Sequence, residues 1–500
     1  MQTQKTKFIN FRPAVILTAG FIFGILLGYA FTFISKQVAV ITFIVTALSL
    51  IVTAVLLLAK RLRNIGCFIV AILAIVILGA SLLRIDAKVN YEGEGEFCFS
   101  GVVSEIYTET KTIDGYYYSM IVKGSVFDYD KVKVYSSFTS AERIYQGSKI
   151  SFNANFVLND EDFSFSSGAS YTANVDVSTL KVGGLYGIIP TLKFKLLTTL
   201  EEFMPKTFYL NYALITGETS YIPEYKIVKY QNIGVSHLFA VSGLHIGLTY
   251  GVLIFILKRL KVKSKVRFPV IFTILLCYVG FCGFSASSMR AFVIITIREL
   301  AKLIGEKPDK TTNLSLSALV VLAINPSDLF SVGFLLSYTV YLGLILLSSP
   351  FEKMLSKVFP EKISKVLSPC IVAELVSIPI LIDFFGKCSV FGFLFNAFII
   401  PIVSVLYPLI VLSVLLLCVF QVGVFAVLPN LAFGLIDFSL SKITTDIFIL
   451  SNFKFSFAVV PCYILAYSFA GKLNFGEKTL RVLRIIVLLV SVLTFCAVNF

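Results

Sequence analysis

The sequence predicts a polytopic α-helical membrane protein with a small β-rich domain held outside the membrane after its third helix. Three observations carry that prediction. Apolar residues make up 57% of the 500-residue chain, mean hydropathy is +0.89, and runs of about 20 apolar residues, enough to span a bilayer, recur along it. One block, residues 86–185, is instead polar and strand-like. Lysines and arginines cluster between the apolar runs in the pattern that fixes membrane orientation.

Residues 1–85 form the first segment, three helices over Pro13–Ile34, Val38–Ala59 and Ile65–Leu83. The first run is longer than the core of a signal peptide and a second span follows at once, so it reads as an uncleaved helix. Lys5, Lys7 and Arg12 precede it, and Lys60, Arg61 and Arg63 follow the second run. Basic flanks face the cytoplasm, which puts the N-terminus inside and the chain after Leu83 outside.

Residues 86–185 form the second segment, with short alternating runs CFSGVVSEIY, YYYSMIVKGSVF, KVKVYSS and KISFNANFVL. Asp114-Gly115 reads as a hairpin turn. Several short strands in one small block suggest a sandwich or a partly open barrel. Cys98 is its only cysteine, so it holds no internal disulfide. The other eight cysteines lie in or near apolar runs and read as small core residues.

Residues 186–500 form the third segment, an amphipathic lead followed by about eight to ten spans. Lys258–Arg267 is a loop of six cations; Lys353, Lys357, Lys362 and Lys365 mark another, and Lys472, Lys478, Arg481 and Arg484 a third. The net charge of +14 is mostly this topology signal rather than a nucleic-acid signature. No repeat of solenoid length is present.

Enzyme motifs fail on chemistry. Gly471–Thr479 (GKLNFGEKT) resembles a phosphate loop, but Glu477 stands directly before Lys478 and would aim a carboxylate at the phosphates. The chain has only two histidines, too few for a multi-histidine binuclear zinc centre. The sequence therefore predicts neither catalysis nor a metal or cofactor.

Both histidines fall in GVSHLFAVSGLHIGL, Gly234–Leu248. On one continuous helix His237 and His245 would stand about 12 Å apart, and only a broken helix would bring them together. Gly234, Gly243 and Gly247 weaken a helix or admit a close backbone. The segment runs toward the basic loop at Lys258, which places His237 near the outer side and His245 deeper. Two readings stay open: hydrogen bonds that tie helices together, or a polar path. Arg290, Glu374, Asp383 and Asp437 also interrupt apolar runs. A charge at the bilayer centre costs roughly 2.5–3.5 kcal/mol, so such groups face a cavity or pair with one another. Glu374 and Asp383 are expected in structural ion pairs, with Lys387 or Arg290 as partners.

GVSHLFAVSGLHIGL resembles the signature of the ComEC family of competence DNA channels. ALITGETSYIP (Ala213–Pro223), SASSMRAFVII (Ser285–Ile295), NPSDLFSVGFLLSY (Asn325–Tyr338) and AELVSIPILIDFFGKCSVFGFLFNAFIIP (Ala373–Pro401) resemble further family segments, in the same order. The resemblance implies an OB-like barrel outside the cell, and a bacterial cytoplasmic-membrane channel that passes single-stranded DNA inward during transformation. It implies His237, Ser242, Gly243, His245 and Arg290 along the DNA path, with Asn325, Ser337, Glu374, Asp383 and Asn396 as intramembrane polar or structural residues. Long family members end in a metallo-β-lactamase-like nuclease domain; the chain reads as a short form whose nuclease is a separate protein.

Partners follow from that function. An anion moving toward a negative interior climbs about 2.3 kcal/mol per charge per 100 mV, so the strand needs a cytosolic ATPase motor, as well as an external DNA receptor. Tyr116–Tyr118, Phe127, Tyr135 and Phe152 could stack bases. The outer segment, however, has 14 acidic and 8 basic residues, a net of −6, and its aromatics read first as barrel core. A non-transporting scaffold and a transporter of another polyanion are the alternatives.

Overall fold

A computed structural model describes residues 95–112, 115–125, 132–159, 171–239, 242–305, 309–389, 392–441 and 449–451, with helical positions between Thr18 and Ile25. The second and third expected spans, most of the first, Asp114, Phe127, Gly471–Thr479, the basic stretch Lys472–Arg484 and the last apolar run Ile485–Phe500 lie outside the described residues. The chain divides into two compact units: Val89–Phe292 with Cys388–Leu450, and Met1–Lys88 with Val293–Lys387 and Ser451–Phe500.

The first unit opens with strands β1 (Gly95–Thr112), β2 (Gly115–Ser125), β3 (Val132–Ser140), β4 (Ser148–Leu158) and β5 (Tyr171–Leu185). They close into a barrel in the order β1-β2-β3-β5-β4, with β1 paired to β4 and β3 parallel to β5. This five-stranded closure fits an OB-like fold. The β1–β2 hairpin turns where the sequence predicts it, with Thr112 paired to Gly115. Alternation puts Tyr118, Met120 and Val122 of β2 inside, against Phe99, Val134, Phe138 and Phe152. Two irregularities, between Val103 and Glu105 and between Ile106 and Thr108, let the 18-residue β1 bend around the barrel.

Three helices follow: α1 (Ile188–Phe203), α2 (Phe208–Thr216) and α3 (Glu224–Ile233). The barrel is fixed to them through the turn after β3. Arg143 donates from Nε to Glu109 of β1 at 2.8 Å and pairs with Glu201 of α1 at 2.9 Å. Its guanidinium lies 5.4–5.8 Å from the ring centroids of Tyr116, Tyr145 and Tyr221. Beside it, Lys193 of α1 donates to Gln146 at 2.8 Å and pairs with Glu218, which accepts from the Tyr212 hydroxyl at 2.9 Å.

The rest of this unit is α4 (Gly243–Arg259), α5 (Ser264–Phe281), the start of α6 (Ala286–Leu303), α10 (Gly392–Phe420) and α11 (Val427–Ser441). α10 is apolar all round. One stripe, Val403, Tyr407, Ile410, Val414 and Leu417, is buried at alternating spacings of four and three. The opposite face, including Phe398 at 73% and Val405 at 68% exposure, is left open by the described residues. An apolar helix buried on one stripe alone is what a bilayer produces.

The second unit holds α7 (Lys310–Ile324), α8 (Val332–Leu355) and α9 (Glu361–Phe385). The Thr18 hydroxyl donates to the Ser315 carbonyl at 2.9 Å, tying the first predicted span to α7. Asn325 and Pro326 form the corner into α8. The Asn325 amide donates to Asp328 at 2.7 Å, and Ser331 caps α8 by accepting from the Phe334 N–H at 3.2 Å. Among the described residues four helices, α5, α8, α9 and α10, are long and apolar enough to cross a membrane, against the eight to ten spans expected over the wider region. Cys282 is buried as expected, but Cys277 is exposed on α5 and is not a core residue.

The Arg143 cluster has a pH signature. Burial pushes the Glu109 carboxyl from 4.5 up to about 7, although Arg143 beside it pulls the other way. Between those values the folded chain keeps a proton that the unfolded chain releases. The contribution of Glu109 is therefore fully present below pH 4.5 and lost as pH rises through about 7. Thermal melting of the full chain, followed by near-UV tyrosine dichroism, should show the native protein losing about 2–3 kcal/mol relative to Glu109→Gln between roughly pH 5 and pH 8. Parallel pH profiles for the two proteins would contradict this electrostatic account.

Candidate functional site

The stretch that holds both histidines is not one helix. α3 ends at Gly234, which takes the left-handed conformation, φ 82°. A single 3-10 turn, Ser236–Leu238, follows, and α4 starts only at Gly243. The 12 Å separation expected of a continuous helix therefore does not apply.

Ser242 and His245 start α4 as a reciprocal cap. The Ser242 hydroxyl accepts from the Leu244 N–H at 3.2 Å, and His245 Nδ1 accepts from the Ser242 N–H at 3.1 Å. An accepting Nδ1 places the proton of a neutral ring on Nε2, an assignment inferred from this hydrogen-bond network. That nitrogen is fully buried and has no hydrogen-bond partner among the described residues. The ring meets Tyr407 of α10 edge-on at 4.9 Å between centroids. The Tyr407 hydroxyl is 2.7 Å from that of Tyr278 on α5, which reaches the Ile215 carbonyl at 3.3 Å. A polar thread thus crosses an otherwise apolar core.

Gly234 and Gly243 are both points of close approach. A methyl group on Gly234 would lie 2.9 Å from the Cα of Gly392, at the start of α10. The Gly234 carbonyl accepts from the Asn396 amide at 3.3 Å, and His237 follows three residues on in the 3-10 turn. A methyl group on Gly243 would lie 2.6 Å from a guanidinium nitrogen of Arg290. Arg290 therefore rests on the first residue of α4, where the helix dipole is already positive. Two positive potentials converging there favour an anion. Gly247 differs from expectation: nothing lies within 4 Å of a side chain placed there, so it is not a close-packing position.

The structure brings Ser242, Gly243, His245 and Arg290 together, with His237 and Asn396 at the neighbouring break. It also supplies residues that sequence reasoning missed, Lys226, Tyr230, Tyr278 and Tyr407, and a partner for Asp437, which was noticed for its charge. Lys226 on α3 pairs with Asp437 on α11 at 2.6 Å, and Tyr230 donates to the same carboxylate at 2.8 Å. This pins α3, and so Gly234, to α11 and gives the Asp437 charge its partner. Polar groups interrupting apolar runs were the available signal for Tyr278 and Tyr407; nothing in the spacing identified the Lys226–Asp437 match.

Asn325, Ser337, Glu374 and Asp383 lie in the other unit. Asn325 is the corner residue described above, and Ser337 is half-buried on α8. Glu374 and Asp383 are half-buried on α9 and, within their own unit, make no ion pair with a described residue. Of the expected partners, the Lys387 side chain lies outside the described residues and Arg290 belongs to the other unit. Among the described residues no group of His, Cys, Asp and Glu could hold a metal ion.

Barrel, apolar spans and a capped helix break define a polytopic membrane protein with a polar site inside its helical part. A family profile described as Competence protein matches residues 214–474, more than half of the chain and all of this site. The chain belongs to that family. It is 31% identical over 189 residues to ComE operon protein 3 of Bacillus subtilis, covering 38% of this chain and 24% of that protein. It is 28% identical over 218 residues to Recombination protein 2 of Haemophilus influenzae, covering 40% of this chain and 28% of that protein. The chain thus spans about a quarter of the length of these curated relatives. No solved structure matches it.

The two glycines of α4 make a paired test. Alanine at 243 meets the flexible end of Arg290 too closely and Ala291 at an ordinary contact distance of 3.5 Å, so Gly243→Ala should leave protein abundance near normal while displacing the guanidinium from the helix start. Gly247→Ala meets nothing and should be neutral or stabilising by roughly 0.5–1 kcal/mol. Melting temperature and any transport readout, measured side by side, check both. Indistinguishable behaviour of the two variants would show that the Arg290–Gly243 contact has no function.

Proposed function

We propose that this protein is a channel that passes single-stranded DNA inward across the bacterial cytoplasmic membrane during transformation. The N-terminus is cytoplasmic and the barrel faces out, as the basic loops direct. The three sequence segments, 1–85, 86–185 and 186–500, serve as membrane anchor, outer domain and conduit. One observation carries the reading. Arg290 reaches the start of α4 at a broken helix, and His245, which caps that start through Nδ1, carries a buried Nε2–H behind it. This is the arrangement by which membrane transporters receive an anionic substrate. One arginine beside neutral donors suits conduction, because the anion must leave as easily as it arrives.

The barrel offers a first contact. Core residues Tyr118, Met120 and Val122 alternate with Tyr117 and Lys123 on the other face of β2. On that face Lys123 pairs in register with Lys133, and Tyr107 lies 6.4 Å from Tyr135 between ring centroids. Tyrosines interleaved with lysines form a stacking platform for single strands, on the surface OB folds use. Tyr118 and Phe152 are core residues and take no part. The protein is a transporter rather than a nuclease, so a cytosolic motor, an outer DNA receptor and a nuclease on another chain complete the pathway.

Uptake of labelled DNA into the cytosol, measured with membrane abundance in a deletion strain carrying each variant, tests the proposal. His237→Ala/His245→Ala should lower uptake per molecule of protein in the membrane at least about tenfold, one lost transition-state contact being worth about 1.4 kcal/mol, beyond the fall in abundance that losing the His245 cap brings. Normal uptake would refute the path role. Equal loss of uptake and protein would make the segment helix-packing glue. Normal DNA uptake in the deletion strain itself would redirect the site to another polyanion.

A further inference from the structure

The α4–α5 hairpin ends in Lys258, Arg259, Lys261, Lys263, Lys265 and Arg267, with no acidic residue among them. The turn is only Leu260–Lys263. It closes through the Lys261 N–H to the Lys258 carbonyl and the Val262 N–H to the Leu257 carbonyl, each at 3.0 Å. Lys261 adopts a left-handed φ of 55°. Every cation except the half-buried Arg267 is exposed. So are two apolar side chains set among them, Leu260 at 67% and Val266 at 54%.

The membrane places this tip. α5 begins at Ser264 and is long and apolar enough to span, so Lys265 and Arg267 sit in the first turn of a span. Lys258 and Arg259 sit in the last turn of α4. The tip therefore lies at headgroup depth, where lysines extend toward phosphates and short apolar side chains reach the acyl boundary. Six like charges in so short a stretch repel one another unless anions lie between them.

We infer that the α4–α5 tip is a binding site for anionic phospholipid headgroups, with Leu260 and Val266 seated in the acyl boundary. Each cation contributes about 1 kcal/mol there, a factor of about 5 in affinity. A nucleic-acid surface would interleave stacking aromatics with the cations, and Lys258–Arg267 contains none. A protein partner would need roughly 800 Å² on this side, more than one short tip presents. Because α4 also carries the capped site at its other end, lipid at the tip anchors the helix that holds Gly243 and His245.

The test uses the purified full chain in detergent, titrated with phosphatidylglycerol or phosphatidylcholine, and reads retained lipid by native mass spectrometry. The native protein should retain phosphatidylglycerol preferentially. A combined Lys258→Gln, Lys261→Gln, Lys263→Gln and Lys265→Gln variant should lose at least about tenfold of that affinity. Leu260→Gln, which keeps every cation, should weaken it severalfold. The tip variants touch only exposed positions, and melting temperature checks that they fold. Equal retention of phosphatidylglycerol by native and fourfold-variant protein would overturn the inference. So would displacement of the lipid by a labelled oligothymidylate, which would make the tip a strand-exit surface. Neither outcome depends on whether the protein transports DNA.

Discussion

Over its described residues between Ile233 and Gly243 the chain leaves the α-helical path, packed against α10, a helix long and apolar enough to span a membrane. Non-helical backbone persists there only where other protein groups or an aqueous cavity meet its hydrogen bonds. Ser242 and His245 meet those at the start of α4, and Asn396 meets the Gly234 carbonyl. The residues that look chemical in the sequence are therefore, first, the ones that make the break tolerable. Function uses what remains. Once Nδ1 of His245 is committed to the cap, Nε2 stays as a buried donor without a partner among the described residues, and the helix start it caps is the place Arg290 reaches.

Two polar networks hold that break in position from either side. The Lys226–Asp437 pair fixes α3 to α11 just before Gly234. The Arg143 and Lys193 clusters fix the barrel to α1 and to the turn at Glu218. Removing one partner of a buried pair is costly, about 3–5 kcal/mol, because the other charge is left without compensation. Such joints specify geometry more than they add stability. The barrel is held in a defined orientation to the helices it feeds, which a flexible linker would not achieve.

Much of the fold was legible because lipid and water impose simple patterns. Apolar runs and basic loops marked the spans, and period-two alternation marked four of the five barrel strands. β5 was missed because YTANVDVSTLKVGGL mixes small and polar residues, and only its pairing with both β3 and β4 makes it a strand. The site was half legible. Two histidines in one stretch drew notice, but the helix break was not predicted, since Ser242 and Gly243 read equally well as packing residues. Arg290 was noticed for its charge and its contact with Gly243 was not. A contact between residues 47 positions apart leaves no periodic trace. Of the two roles open to the glycines of this stretch, Gly247 meets no described neighbour that would mark close packing.

Position-specific photocrosslinking during uptake tests the central claim most directly, that a strand passes the start of α4. A photoreactive residue at Leu244, in the first turn, should form adducts with labelled single-stranded DNA while transport proceeds. The same residue at Phe255, 71% exposed three turns further along the same helix, should form none. Sustained uptake with no adduct at 244, or equal adducts at both positions, would contradict the account.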